Sequence, residues 1–283
     1  MATIYLGDDG SGADFTSFNF SFLNEYTSYA YSFSGVSAYS DDNNRTYFQG
    51  DKLIYRGTGG EILLDPTAQG KDISAIVGGT IKGVVITQNG VNIVSVSGLK
   101  VSAEALYKAV TSNDNEAIKN ILLSGDDVIN GTRYADILEG RAGKDTLDGN
   151  GGRDTLKGGA GDDVLFGGAA GDKLHGQSGN DTFVYNSLKD SYGTSNSTRD
   201  TIYDFTRSDK IDFSAIDANS KTTADESFSF LGTKAFTRKA GELRYEKKAS
   251  DTYIYADVNG DKKADFSIHL DDAVSLQKGY FVL

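Results

Sequence analysis

The sequence predicts a mainly β protein: a right-handed parallel β-roll at its centre, a β-rich segment after it and a small α+β segment before it. Two observations carry the prediction. Aspartate recurs every nine residues, at Asp127, Asp136, Asp145, Asp154, Asp163, Asp172 and Asp181, and an apolar residue stands two places after each, at Ile129, Leu138, Leu147, Leu156, Leu165, Leu174 and Phe183. Glycine runs in the same register, so that 15 of the chain's 34 glycines fall between residues 125 and 181. A strict internal period of this kind is the mark of a coiled repeat architecture.

Residues 1–121 lack the period and read as a separate N-terminal α+β domain. The aromatic stretch Phe15, Phe18, Phe20, Phe22, Tyr26, Tyr29, Tyr31 and Phe33 fits helical and strand spacing equally and is expected in a core. The run Gly83–Val96, broken by Asn89-Gly90, predicts a β-hairpin. Two short helices follow, over Ser102–Val110 behind a serine cap and over Asn113–Leu123 with acids in its first turn.

Residues 122–184 form the predicted roll. Glycines at this density cost about 1 kcal/mol each in a helix, which excludes one. A nine-residue unit suits one short strand and one sharp turn. In the strand Asp-x-apolar-x alternate side chains face inward, and the glycines serve where φ is positive or the backbone is closely approached. Two units close one coil, which stacks aspartates 18 apart on the same edge: 136 with 154, 145 with 163, 154 with 172, and 163 with 181. Stacked carboxylates repel one another. A hard divalent cation held between them by carboxylate and turn carbonyl oxygens removes the repulsion. The candidate metal ligands are therefore the seven aspartates together with the turn glycines Gly140, Gly149, Gly158, Gly167 and Gly176. A flexible linker would not hold leucine in register with aspartate.

Residues 185–283 read as a third, β-rich domain. Glu242–Lys247, Thr252–Asp257 and Phe266–Leu270 are expected to pair in that order. Between the last two, Asp257, Asn259, Asp261 and Asp265 hold positions 1, 3, 5 and 9 of an EF-hand-like loop, but Lys262 and Ile268 stand where glycine and glutamate belong. A polar hairpin turn and a weak cation site both fit. The apolar tail Gly279–Leu283 fits a strand or core plug.

Composition limits the chemistry. Forty acidic against 28 basic residues leave a charge of −12, which argues against nucleic acid as a partner and suits cations. With no cysteine there is no disulfide, thiolate nucleophile or cysteine zinc site, and the two histidines, His175 and His269, allow no HExxH site. No run approaches the ~20 apolar residues of a membrane span. The first residues carry neither a basic nor an apolar region, so no cleavable secretory signal is expected.

Gly158-Gly-Ala-Gly-Asp-Asp163-Val-Leu-Phe166 is similar throughout to the nonapeptide motif of RTX proteins, and the units at 140–148, 149–157, 167–175 and 176–184 each depart at one glycine position. Asp200-Thr-Ile-Tyr-Asp-Phe205 and Asp209-Lys-Ile-Asp-Phe-Ser214 resemble the stretch that follows the repeats in serralysin-type C-terminal domains. The N-terminal third resembles that of secreted calcium-binding proteins of proteobacteria. These resemblances imply that the cation is Ca2+ and that the protein is extracellular. They also imply export by a type I exporter that reads the C-terminal tail, although Gly279 stands where an acidic residue is usual. The chain is expected to be a calcium-binding protein and not an enzyme. Its first 121 residues hold no histidine, and no G-x-S-x-G elbow is present. Two alternatives stay open: a surface or matrix adhesin whose residues 1–121 hold a glycan or cell-surface partner, and a polysaccharide-active enzyme carried by an RTX export module.

Overall fold

The computed structural model describes the backbone of seven strands between residues 2 and 102, then residues 105, 109 and 112, and residues 114–283 apart from 194 and 196. The expected aromatic stretch at 15–33, the Asn89-Gly90 turn and most of the helix expected at 102–110 lie outside the described residues. The chain divides into two compact units, one built mainly from residues 16–128 and the other mainly from 129–283.

In the first unit the strands are β1 (Ala2–Leu6), β2 (Ser37–Ser40), β3 (Thr46–Gln49), β4 (Leu53–Gly57), β5 (Gly60–Pro66), β6 (Thr80–Gln88) and β7 (Val91–Ser102). β4, β5, β6, β7 and β1 follow one another in an antiparallel sheet, and β2 pairs with β3. The predicted hairpin is β6–β7, with Val84 opposite Val96 and Gln88 opposite Val91. Helix α1 (Asn115–Leu122) starts where its acids predict. The Asp114 side chain accepts the Ala117 amide at 2.9 Å, and Ile118 and Leu122 are buried. Such a cap contributes about 1 kcal/mol.

The second unit is a parallel roll. Its strands are β8 (Asp127–Asn130), β9 (Ile137–Ala142), β10 (Thr146–Asp148), β11 (Thr155–Ala160), β12 (Val164–Phe166), β13 (Lys173–Ser178) and β14 (Thr182–Val184). Alternate strands go to alternate sheets, because one nine-residue unit is half a coil. β10, β12 and β14 pair in parallel on one side; β9, β11 and β13 pair in parallel on the other. The register is that of the 18-residue coil: Leu147 lies beside Leu165 and Leu138 beside Leu156. The whole apolar column, from Ile129 to Phe183, is at most 1% exposed and fills the space between the sheets. Each such side chain contributes roughly 1.5–3 kcal/mol on burial.

Both sheets continue past residue 184. β15 (Thr201–Ile202) joins β13 and β16 (Lys210–Asp212) joins β14, in parallel. Next come β17 (Ser229–Phe230), β18 (Glu242–Lys247), β19 (Thr252–Asp257), β20 (Phe266–Leu270) and β21 (Phe281–Val282). β18, β19 and β20 pair antiparallel in the expected order, and β20 closes against β15. The apolar tail is a strand: β21 lies parallel to β16, with Phe281 beside Ile211. Phe281 is 7% exposed and packs on Phe213 and Phe230, at ring distances of 6.0 and 5.1 Å. Among the described residues no helix is long and apolar enough to cross a membrane.

Candidate metal centre

All seven predicted aspartates are at most 2% exposed. The roll brings them together as two ladders, one on each edge. On the first, the amide of Asp136 donates to Asp154 Oδ1 and that of Asp154 to Asp172 Oδ1, each at 2.8 Å. On the second, the amide of Asp145 donates to Asp163 Oδ1 at 2.8 Å and that of Asp163 to Asp181 Oδ1 at 3.0 Å. Each carboxylate therefore sits under the coil before it, which is the stacking at 18 that the sequence predicts. Asp127 opens the series in β8.

The second carboxylate oxygen is the chemically active part. Oδ2 of Asp154, Asp163, Asp172 and Asp181 is buried and accepts no hydrogen bond. It lies in a cradle that a glycine leaves open. A Cβ on Gly167 would come within 2.6 Å of Asp172 Oδ2. A Cβ on Gly140 would collide with Asp145 Oδ2 and come within 2.6 Å of the Gly158 carbonyl oxygen. Gly149, Gly158 and Gly176 shelter Asp154, Asp163 and Asp181 in the same way. Carboxylate and carbonyl oxygens converging where no side chain fits are the donor set of a hard cation, and calcium fits it.

The glycines thus divide into two groups with different duties. The five predicted ligands have ordinary φ and serve close approach, while positive φ falls on the following position and on the turn: Gly159 at 119° and Gly161 at 136°. At that following position Arg141, Asn150 and Gln177 also take positive φ, at 76°, 63° and 68°.

Electrostatics disfavour negative charge along the ladders. Burial pushes Asp154 up to about 8, Asp172 to about 7 and Asp181 to about 6, against an ordinary 3.8. The carboxylates stacked beside Asp154 and Asp181 add to the rise. Burial raises Asp163 as well. Its neighbour Asp162 does the opposite. It points outward, takes Lys144 Nζ at 2.6 Å, and that hydrogen bond with those from Asn180 lowers it to about 2.

The ladders reach further than the repeat. The amide of Asp172 donates to Asp200 Oδ1 at 2.9 Å, and that of Asp181 to Asp209 Oδ1 at 3.0 Å. Asp200 is fully buried, and burial, with the charge of Asp172, raises its pKa well above the ordinary value. Asp204 accepts the amides of Gly176 and Gln177 at 2.9 and 3.0 Å. The spacing widens from 18 to 28 on both ladders, so a single ten-residue excursion between Thr182 and Asp200 accounts for both shifts. The signal that betrays them is the triplet Asp-x-Ile, at Asp200–Ile202 and Asp209–Ile211, kept after the glycines are gone.

The loop from Asp257 to Asp265 is a polar turn. The Asp257 carboxylate accepts the amides of Asn259, Gly260 and Lys262, and Asp265 accepts the Val258 amide and the Asn259 side chain.

The family described as Peptidase M10 serralysin C terminal matches residues 68–282. Among the solved structures similar to the chain are two subunits of the mannuronan C5-epimerase of Azotobacter vinelandii. The AlgE6R2 subunit is 28% identical over 55% of this chain and 91% of its own, with a TM-score of 0.40. The AlgE6R3 subunit is 28% identical over 56% and 78%, with a TM-score of 0.26. No curated protein matches.

Proposed function

The chain belongs to the Peptidase M10 serralysin C-terminal family, and on that premise we propose that it is a secreted protein whose aspartate roll folds on calcium outside the cell. Its repeats make it a calcium-binding RTX domain. The observation that carries the proposal is the row of buried Oδ2 atoms, on Asp154, Asp163, Asp172 and Asp181, that accept no hydrogen bond. An ionised carboxylate buried without a partner costs several kcal/mol. Bound calcium supplies the positive charge that offsets this cost. Asp127, Asp136, Asp145, Asp154, Asp163, Asp172 and Asp181 would hold it with carbonyls of the glycine column, and Asp200 and Asp209 would extend the set.

In a calcium-poor cell interior the carboxylates oppose the stacking of coils, and the chain stays expanded enough to be threaded out. At the millimolar level suited to extracellular modules, binding energy becomes folding energy. In this reading residues 122–184, extended by Asp200 and Asp209, hold the metal. Residues 185–283 complete the roll and present the tail at 279–283 to a type I exporter. Residues 1–121 carry the contact with a glycan or cell-surface partner.

Far-ultraviolet circular dichroism during a calcium titration, with magnesium as control, tests the proposal. The native chain should gain β signal cooperatively near millimolar calcium and not with magnesium. Asp163→Ala should move the midpoint up by roughly tenfold, the equivalent of about 1.4 kcal/mol. An identical titration in that variant would overturn the ladder as the calcium site.

A further inference from the structure

The outer face of the second sheet carries another constellation, next to the Asp200 end of one ladder, where the His269 amide donates to the Asp200 carbonyl at 3.0 Å. Strand period two places His269 and Asp271 on the same face at the end of β20. The register of β19 with β20 sets Thr252 opposite Leu270, which brings Asp251 opposite Asp271 one step further on. Two carboxylates facing each other across adjacent strands repel. One ligand atom from each of Asp251, His269 and Asp271 lies within 4.8 Å of the others.

The imidazole is held in place. Its ring stacks on Tyr253 at 4.8 Å, Nε2 lies 2.8 Å from Asp251 Oδ1, and Nδ1 lies 3.2 Å from Thr201 Oγ1. Its side chain is only 12% exposed. Ser250 Oγ donates a hydrogen bond to the other Asp251 carboxylate oxygen, Oδ2.

We propose that Asp251, His269 and Asp271 form a second metal site, for a zinc-type divalent transition ion and not for calcium. One imidazole nitrogen with two carboxylate oxygens is a borderline donor set, which suits zinc, nickel or copper, whereas calcium takes oxygen alone. His269 coordinates through Nε2. Nδ1 then carries the proton and donates it to Thr201 Oγ1, which fixes the tautomer and ring orientation as outer-shell partners do. Three protein ligands leave a position for water. The site relieves the facing carboxylates of Asp251 and Asp271, and it goes beyond the calcium function.

Calorimetric titration of zinc chloride into the full chain, saturated with calcium, decides the matter. One zinc per chain is expected. His269→Gln should abolish it, Asp271→Asn should weaken it at least tenfold, and Thr201→Val should weaken it roughly 10–100-fold. Asp163→Ala should leave it unchanged, which separates this site from the ladders. Cobalt(II) in place of zinc should give a visible absorption band that His269→Gln removes. No zinc binding by the native chain, or equal binding by His269→Gln, would overturn the proposal. So would loss of zinc in Asp163→Ala alone. Should His269→Gln fail to fold, Asp271→Asn decides, since Asp271 is exposed and its substitution leaves the core intact.

Discussion

At the scale of single residues, the repeat works by denying space. Gly158 has no Cβ because Asp163 Oδ2 occupies the place, with Asp163 Cβ only 2.9 Å from where one would stand. Asp163 cannot retreat without breaking its bond to the Asp145 amide. Gly158→Ala should therefore cost about 1–3 kcal/mol of calcium-loaded stability, the usual penalty of overpacking, and raise the calcium midpoint. Gly125→Ala is the control. Nothing lies within 4 Å of its Cβ, and its cost should stay within about 0.5 kcal/mol in the same melts. Charge is the second handle. Asp154→Asn keeps an oxygen for the Asp136 amide and removes the buried charge. It should raise the stability of the calcium-free protein and lower its response to calcium, and a melt with and without chelator would show both.

At the scale of elements, the last strand serves packing on one face and leaves the other free. Phe281 is buried against Phe213 and Phe230, while Val282 is 40% exposed. Phe281→Ala should cost roughly 3–5 kcal/mol by leaving a cavity, whereas Val282→Lys should change stability by less than about 0.5 kcal/mol. Thermal melts in saturating calcium would separate the two. The strands of the roll were legible in the sequence because each coil repeats the same local chemistry, Asp-x-apolar after glycine. The hairpin of β6 and β7 and the order of β18, β19 and β20 were legible from strand runs around turn residues. Asp200 and Asp209 were not, because ten extra residues after β14 move the spacing from 18 to 28 and the glycines that flag each unit disappear. Nor was the division of labour among the glycines. Sequence shows that a side chain is missing but not whether its absence serves φ or a neighbour's carboxylate, and Arg141, Asn150 and Gln177 take positive φ without being glycines. The triad of Asp251, His269 and Asp271 depends on the register of β19 with β20, which no spacing along the chain reveals.

At the scale of the whole molecule, the ladders tie folding to pH as well as to calcium. In the calcium-free protein the native state binds protons more tightly than the unfolded chain at Asp154, Asp172 and Asp181, with values near 8, 7 and 6 against 3.8. A raised folded-state value for an acid means that the native state holds more protons, so stability falls as pH rises. The contribution of these groups is complete below about pH 4. It is lost progressively as pH climbs to 6 at Asp181, 7 at Asp172 and 8 at Asp154. The calcium-free chain should thus hold more roll at pH 5 than at pH 8, the reverse of a protein stabilised by salt-bridged carboxylates. Calcium reverses the slope. Its ligands must be deprotonated, so binding releases protons and weakens as pH falls. Circular dichroism across pH 4–9, in chelator and in saturating calcium, should give two curves of opposite slope that diverge most at the alkaline end. Calcium-free β content that stays flat across this range would mean that the stacked aspartates do not carry buried charge, and folding on calcium would lose its physical basis.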